Sequence, residues 1–208
     1  LLIIVVQKKN LTHIPVDSNT KASFYYKPGT YWIYRDSLSG RIDSFYVKNN
    51  WASLNVQIDD NHCADYFYST IVEKNIINII TNDSGIYNWQ LEENGISFTK
   101  NQSNTSEYNL DYLPLFSYPF KVGAFQFIDG SSGSGNDLSY FEQILTNCNI
   151  SGQLFNNVAI IPHHAIDSSY FDKFYLNADV GIIKMRLNHL KDSVKTKVWE
   201  LQRWKIVK

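Results

Sequence analysis

The feature that most restricts this chain is its punctuation. From Thr30 onward, short aromatic and β-branched runs alternate with polar turn clusters at intervals of about ten residues. "TYWIYRD" leads through "SLSGR" into "IDSFYVK", two β-rich arms around a Ser- and Gly-containing loop. "WASLNVQI", "YFYSTIVEK" and "NIINIIT" continue the series. Between "IYNWQLE" and "ISFTK", Asn94-Gly95 is the strongest short hairpin signal in the chain. Composition agrees: 14 Tyr, 12 Phe and 5 Trp stand against one Met, and such side chains fit a pleated, half-buried surface. The expected fold is all-β and mainly antiparallel. It is a curled meander, barrel-like or a sandwich, with at most one or two short helices.

Two stretches resist this pattern. In "LSYFEQILTNCNI", Phe141, Ile144 and Leu145 suit a helix face, whereas the surroundings favour a strand. In the last strand, "VWELQRWKIVK", Trp199 and Leu201 share one face while Trp204 and Ile206 fall on the other. Either a bulge intervenes or both faces are covered.

The opening "LLIIVV" is too short to span a bilayer and reads as the end of a secretory signal, with a first β-strand as the alternative. The aperiodic "LTHIPVDSNTKAS" after it reads as a tether. The expected division is therefore residues 1–23 as signal remnant and tether, and 24–208 as a β-rich domain. That domain is either one unit or two β halves, 24–110 and 111–208. The second half echoes the first, as "YPFKVGAFQF" beside "YYKPGTYWIY" shows. In "YKPGTYWIYRD", Pro28 and Gly29 form a turn that starts the first strong strand, with Tyr31 and Ile33 on one face and Trp32 and Tyr34 on the other.

Net charge is -1, with no basic half and no acidic tail. Nothing in the sequence order suggests the basic stripe of a nucleic-acid binder. Cys63 and Cys148 lack CxxC spacing, so zinc is not expected; they are either a long-range disulfide or two buried thiols. His163 and His164, adjacent in a strand, point to opposite faces and do not chelate one metal together. His13, His62 and His189 are scattered. Asp59, Asp60, Asn61, His62, Cys63 and Asp65 gather oxygen ligands but lack calcium-loop spacing, and read as a solvated turn. "DGSSGSGND" lacks the ending of a phosphate-binding loop. Sequons at Asn10, Asn82, Asn101, Asn104 and Asn149 mark surface loops. Trp51, Tyr66, Tyr68 and Trp89 are candidates for stacking on sugar rings, with the core as the alternative. No catalytic residues and no cofactor are expected.

Three stretches carry a resemblance: "YYKPGTYWIYRDSLSGRIDSFYV", "GQLFNNVAII" and "NADVGIIKMRLN". On them, residues 24–208 resemble a loosely defined set of exported proteins and lipoproteins of Bacteroidetes-type bacteria. These carry an aromatic G-x-Y-W-x-Y strand after a short tether. The resemblance implies a secreted or cell-envelope β-domain and brings no catalytic residues. Gln7 and Lys8 stand where a lipoprotein carries its lipid-bearing cysteine after the apolar run, the main departure from the pattern; an N-terminal anchor is the only route to membrane association that the resemblance implies. The expected role is a non-enzymatic binding or structural module for a hydrophobic or glycan ligand. The alternative is an envelope hydrolase whose carboxylates meet only in the fold.

Overall fold

The computed structural model describes residues 11–63, 66–81, 87–92, 95–100, 112–116, 118–123, 125–127, 138–164, 171–187 and 196–208. Its elements in chain order are β1 (Leu11–Ile14), α1 (Ser18–Phe24), β2 (Tyr31–Asp36), β3 (Ile42–Cys63) and β4 (Tyr66–Thr81). There follow β5 (Tyr87–Glu92), β6 (Gly95–Lys100), β7 (Tyr112–Phe116), β8 (Phe125–Phe127) and β9 (Leu138–Tyr140). The chain ends with β10 (Gln143–Ile150), β11 (Gln153–His164), β12 (Phe171–Asn177), β13 (Gly181–Leu187) and β14 (Lys197–Lys205). One sheet runs in the order β10-β11-β12-β13-β14-β2-β3-β4-β5-β6-β7, and β8 and β9 pair separately. Its ladders are antiparallel, except that β1 joins β4 in parallel. The all-β expectation holds, with a single short helix among the described residues.

The core lies on one face of β10–β14, β2 and β3. β2 shows the pattern clearly: Trp32, Tyr34 and Asp36 are buried while Arg35 is exposed. Two polar atoms on those buried rings find acceptors across the sheet. The Trp32 indole N–H donates to the Val180 carbonyl at 2.6 Å, and the Tyr34 hydroxyl to the Ile182 carbonyl at 2.7 Å. Both side chains pass over β14 to reach β13, so they tie three strands and leave no buried polar tip unpaired.

The turn before β2 has Pro28 at its second position and Gly29 at its third, with φ 98° at the glycine. Thr30 N–H closes it onto the Lys27 carbonyl at 3.1 Å. This is the type II pattern, which needs a residue tolerant of positive φ at that place. The C-terminal segment is sewn to the same turn, with Lys27 N–H donating to Val207 O at 2.9 Å and Val207 N–H to Thr30 Oγ1 at 2.9 Å.

Asp36 ends β2 and is 4% exposed. Its carboxylate accepts from Leu38 N–H (3.2 Å), Ser39 N–H (3.3 Å), Ser39 Oγ (2.5 Å) and Val198 N–H (3.1 Å). One side chain thus fixes the β2–β3 turn and anchors it to β14. Burial pushes its carboxyl up, but the hydrogen bonds from Ser39, Val198 and Leu38 prevail and hold it below the usual value.

One departure from the sequence reading and one resolved ambiguity have clear causes. Residues 11–23, read as a tether, contain β1 and most of α1. Asp17 caps the helix, its Oδ1 accepting from Asn19 N–H (3.0 Å) and Thr20 N–H (2.9 Å), and Phe24 is fully buried. A seven-residue helix is too short to show periodicity. The ambiguous stretch "QILTNCNI" is strand β10, paired with β11 through Ile150↔Gln153. Ser151 and Gly152, with φ 51° and 81°, form the two-residue loop between them, and positive φ at both loop positions matches the sheet's own twist.

The sheet curls. β11 and β14 are separated by two strands in the order, yet Gln153 Nε2 donates to Gln202 O at 3.1 Å. Gln202 Nε2 reaches Ser151 Oγ at 2.6 Å. The rings of Phe155 and Trp204 lie 5.3 Å apart. The curl brings these strands together at one end, although no ladder closes the sheet among the described residues.

Candidate functional site

The curl leaves a cleft of about 990 Å³ at that end, near the top of the ~300–1,000 Å³ range of ligand sites. Its floor is the turn between β12 and β13, Asn177 to Val180. β12 pairs with β11 only from Val158 onward, so Gln153–Asn157 overhang the turn from one side. Trp204 overhangs it from the other side.

Trp204 reaches the cleft through a register shift between Leu201 and Arg203, which opposes Trp204 to Trp32. Without that bulge Trp204 would point away from the core, as simple alternation requires. The sequence showed the conflict, and the bulge resolves it. The remaining wall is the segment Tyr118–Phe120, held by packing on the helix. The Phe24 ring stands edge-on to Tyr118 at 5.6 Å and to Phe120 at 6.2 Å, and Phe120 touches Phe141 at 5.3 Å.

The polar lining divides into structural and available groups. Asn177 is occupied: its Oδ1 accepts from Asp179 N–H and Val180 N–H, both at 3.1 Å, and its Nδ2 donates to Asn156 O at 2.7 Å. It shapes the turn. The side-chain amides of Asn156 and Asn157 are exposed and make no hydrogen bond to a described residue, and Asp179 is the exposed carboxylate of the lining. Asn157 has φ 52°, a left-handed conformation that costs about 1 kcal/mol or more outside glycine. Asparagine is among the residues that tolerate it best. The cleft lining therefore includes an indole ring, a phenol ring and the residues Asn156 and Asn157, whose amides can each donate and accept.

The residues singled out in the sequence lie elsewhere. Asp59, Asp60, Asn61, His62 and Cys63 fall within strand β3 rather than in a turn, because β3 pairs with β4 as far as Cys63↔Tyr66. Asp65 is outside the described residues. His163 and His164 end β11, opposite Asp172 and Phe171. His13 is in β1, and His189 is outside the described residues. Among the described residues no group of three or more His, Cys, Asp or Glu is placed to hold a metal. Cys148 is a buried free thiol on β10, its pKa pushed up by burial; the side chain of Cys63 lies outside the described residues. Trp51 is 42% exposed on β3, away from the cleft. The side chains of Tyr66, Tyr68 and Trp89, and the "DGSSGSGND" loop, lie outside the described residues. So do the sequons at Asn10, Asn82, Asn101 and Asn104. Asn149 is exposed, with Oδ1 accepting from Gly152 N–H at 3.1 Å.

Sequence reasoning missed the cleft because its residues come from five separate segments. The available signal was the polar pair inside "FNNVAII", where two asparagines interrupt an apolar strand. No known family model, curated protein or solved structure matches this chain.

Proposed function

We propose that this protein is an exported, non-enzymatic binding module of the cell envelope that holds a neutral glycan in the cleft. The observation that carries the reading is the pairing of the Trp204 and Tyr118 rings with the amides of Asn156 and Asn157. A sugar ring presents apolar C–H faces that pack on an aromatic ring, and an edge of hydroxyls that both donate and accept. Rings supply contact area, and amides answer hydroxyls in either sense. A purely hydrophobic ligand would leave the amides desolvated and unpaired, at about 1–3 kcal/mol each. Export is supported by the apolar run Leu1–Val6 and the resemblance to envelope proteins. A hydrolase reading asks for two carboxylates facing across the site. Among the described residues the lining supplies one, Asp179.

The test is calorimetric titration with neutral gluco-, xylo- and manno-oligosaccharides, using parent protein and Trp204→Ala. Binding by the parent that weakens about ten-fold in the variant is expected, the loss of one ring contact worth about 1–1.5 kcal/mol. Equal binding by both removes the cleft from the account. Release of reducing ends on prolonged incubation would favour the hydrolase.

A further inference from the structure

Nine of the 19 lysines and arginines lie within residues 173–208, and the fold sorts them further. On β12, β13, β14 and β2, the residues opposite one another in register share a face. Its cations are Lys173, Lys184, Arg186, Arg203, Lys205 and Arg35. The bulge in β14 keeps Arg203 and Lys205 on this side while turning Trp204 to the other. Among the described residues, Glu200 is the only carboxylate that these four strands present on the same face. Glu200 pairs with Lys184 at 2.7 Å, and Glu142, from outside these strands, pairs with Lys173 at 2.8 Å. Arg35, Arg186, Arg203 and Lys205 are exposed and make no ion pair with a described residue.

With neighbouring strands ~4.8 Å apart and like-facing residues ~7 Å apart along a strand, the patch measures roughly 14 by 20 Å. Lys173 and Arg186 are direct cross-strand partners, a placement in which like charges oppose folding. Glu142 answers Lys173, so the charge left for an external anion to offset is that of Arg35, Arg186, Arg203 and Lys205. The net charge of -1 makes the sorting local rather than a property of the whole chain.

We propose that this face binds an acidic polysaccharide, a polymer of sugar rings bearing regularly spaced carboxylates. Two features beyond charge support that occupant. Tyr31 and Tyr46 are adjacent cross-strand partners, and Tyr175 lies opposite Lys184 with that ammonium 5.7 Å from its ring centre. Rings interleaved with guanidinium groups match a chain that alternates apolar ring faces with carboxylates, which arginine holds in a two-point fork. Among the described residues, β12, β13, β14 and β2 present this face as a sheet surface, with no helix on it to enter a duplex groove. This surface lies opposite the cleft and does not depend on the cleft's ligand.

The test is binding of the full chain to immobilised polygalacturonate, with dextran as the neutral control, at low and moderate ionic strength. The expected result is retention on polygalacturonate alone, released by salt, and weakened ten-fold or more in the Arg186→Glu/Arg203→Glu double variant. Both positions are exposed, and far-ultraviolet circular dichroism checks that the variant is folded. Lys27→Glu, an exposed reversal in the turn before β2, should bind as the parent does. No retention of the parent overturns the proposal, as does unchanged binding by the folded double variant. Equal or tighter binding to phosphatidylglycerol vesicles or duplex DNA overturns the choice of occupant.

Discussion

Asp36→Asn perturbs the joint between the first hairpin and the last strand with minimal change in shape. The carboxylate is 4% exposed and accepts two hydrogen bonds on each oxygen. An asparagine oxygen placed at the Oδ1 position keeps Leu38 N–H and Val198 N–H. Its NH2 then faces Ser39, whose hydroxyl can turn to accept but whose backbone N–H cannot. One part-buried donor loses its acceptor and the other bonds lose their charge assistance, so the expected cost is about 1–2 kcal/mol. Asp36→Ala removes all four bonds and should cost about 4 kcal/mol by the same count.

The pH dependence provides a second, independent readout. The folded-state carboxyl is held below its ordinary value of 3.8. Its contribution is therefore fully present above the unfolded-state pKa and is lost as pH falls through the lower folded-state value. Urea unfolding at pH 7 and at steps below about pH 4 should show Asp36→Asn less stable at neutrality and less sensitive to acid than the parent. A variant within 0.5 kcal/mol of the parent at pH 7, with the same acid slope, would refute this role for Asp36.

Three other outcomes follow from single contacts. Tyr34→Phe removes the donor to the Ile182 carbonyl and should cost about 1–2 kcal/mol in urea unfolding. Gly181→Ala should cost about 2 kcal/mol or more, because φ is 98° and the added Cβ would meet the Tyr26 hydroxyl at 3.0 Å; a neutral result would contradict the packing described there. Asn157→Gly relieves a left-handed φ of 52° and should leave stability within about 0.5 kcal/mol of the parent, or raise it. The same variant should bind oligosaccharide about ten-fold more weakly. A parallel loss of stability and binding would mean that Asn157 serves the fold alone.

How much of this was legible in the sequence depends on the range of the interaction. Strands β2, β13 and β14 were readable because alternation and turn residues are local signals. The Pro28-Gly29 turn was readable for the same reason, since each residue has one conformational meaning there. Helix α1 was hidden because its single capping aspartate and one buried Phe24 leave no period to count. The direction of Trp204 was indeterminate, since a bulge is set by how β14 meets β2 and not by β14 alone. The cleft depends on unequal strand lengths, β11 and β14 extending past the β12–β13 turn, and nothing local encodes that. The cationic face was legible in part: five of its six cations fall within residues 173–205, but which of them share a face is decided by register and by the bulge in β14.

The most direct test of the account is a ¹⁵N-resolved titration of the protein with neutral gluco-, xylo- and manno-oligosaccharides. It follows the Trp204 indole N–H together with the side-chain amides of Asn156 and Asn157. The account predicts that these three signals shift together and saturate with one of the sugars, while the Trp51 indole on β3 stays in place. Shifts confined to other residues, or none with any of the sugars, would contradict a glycan site in this cleft.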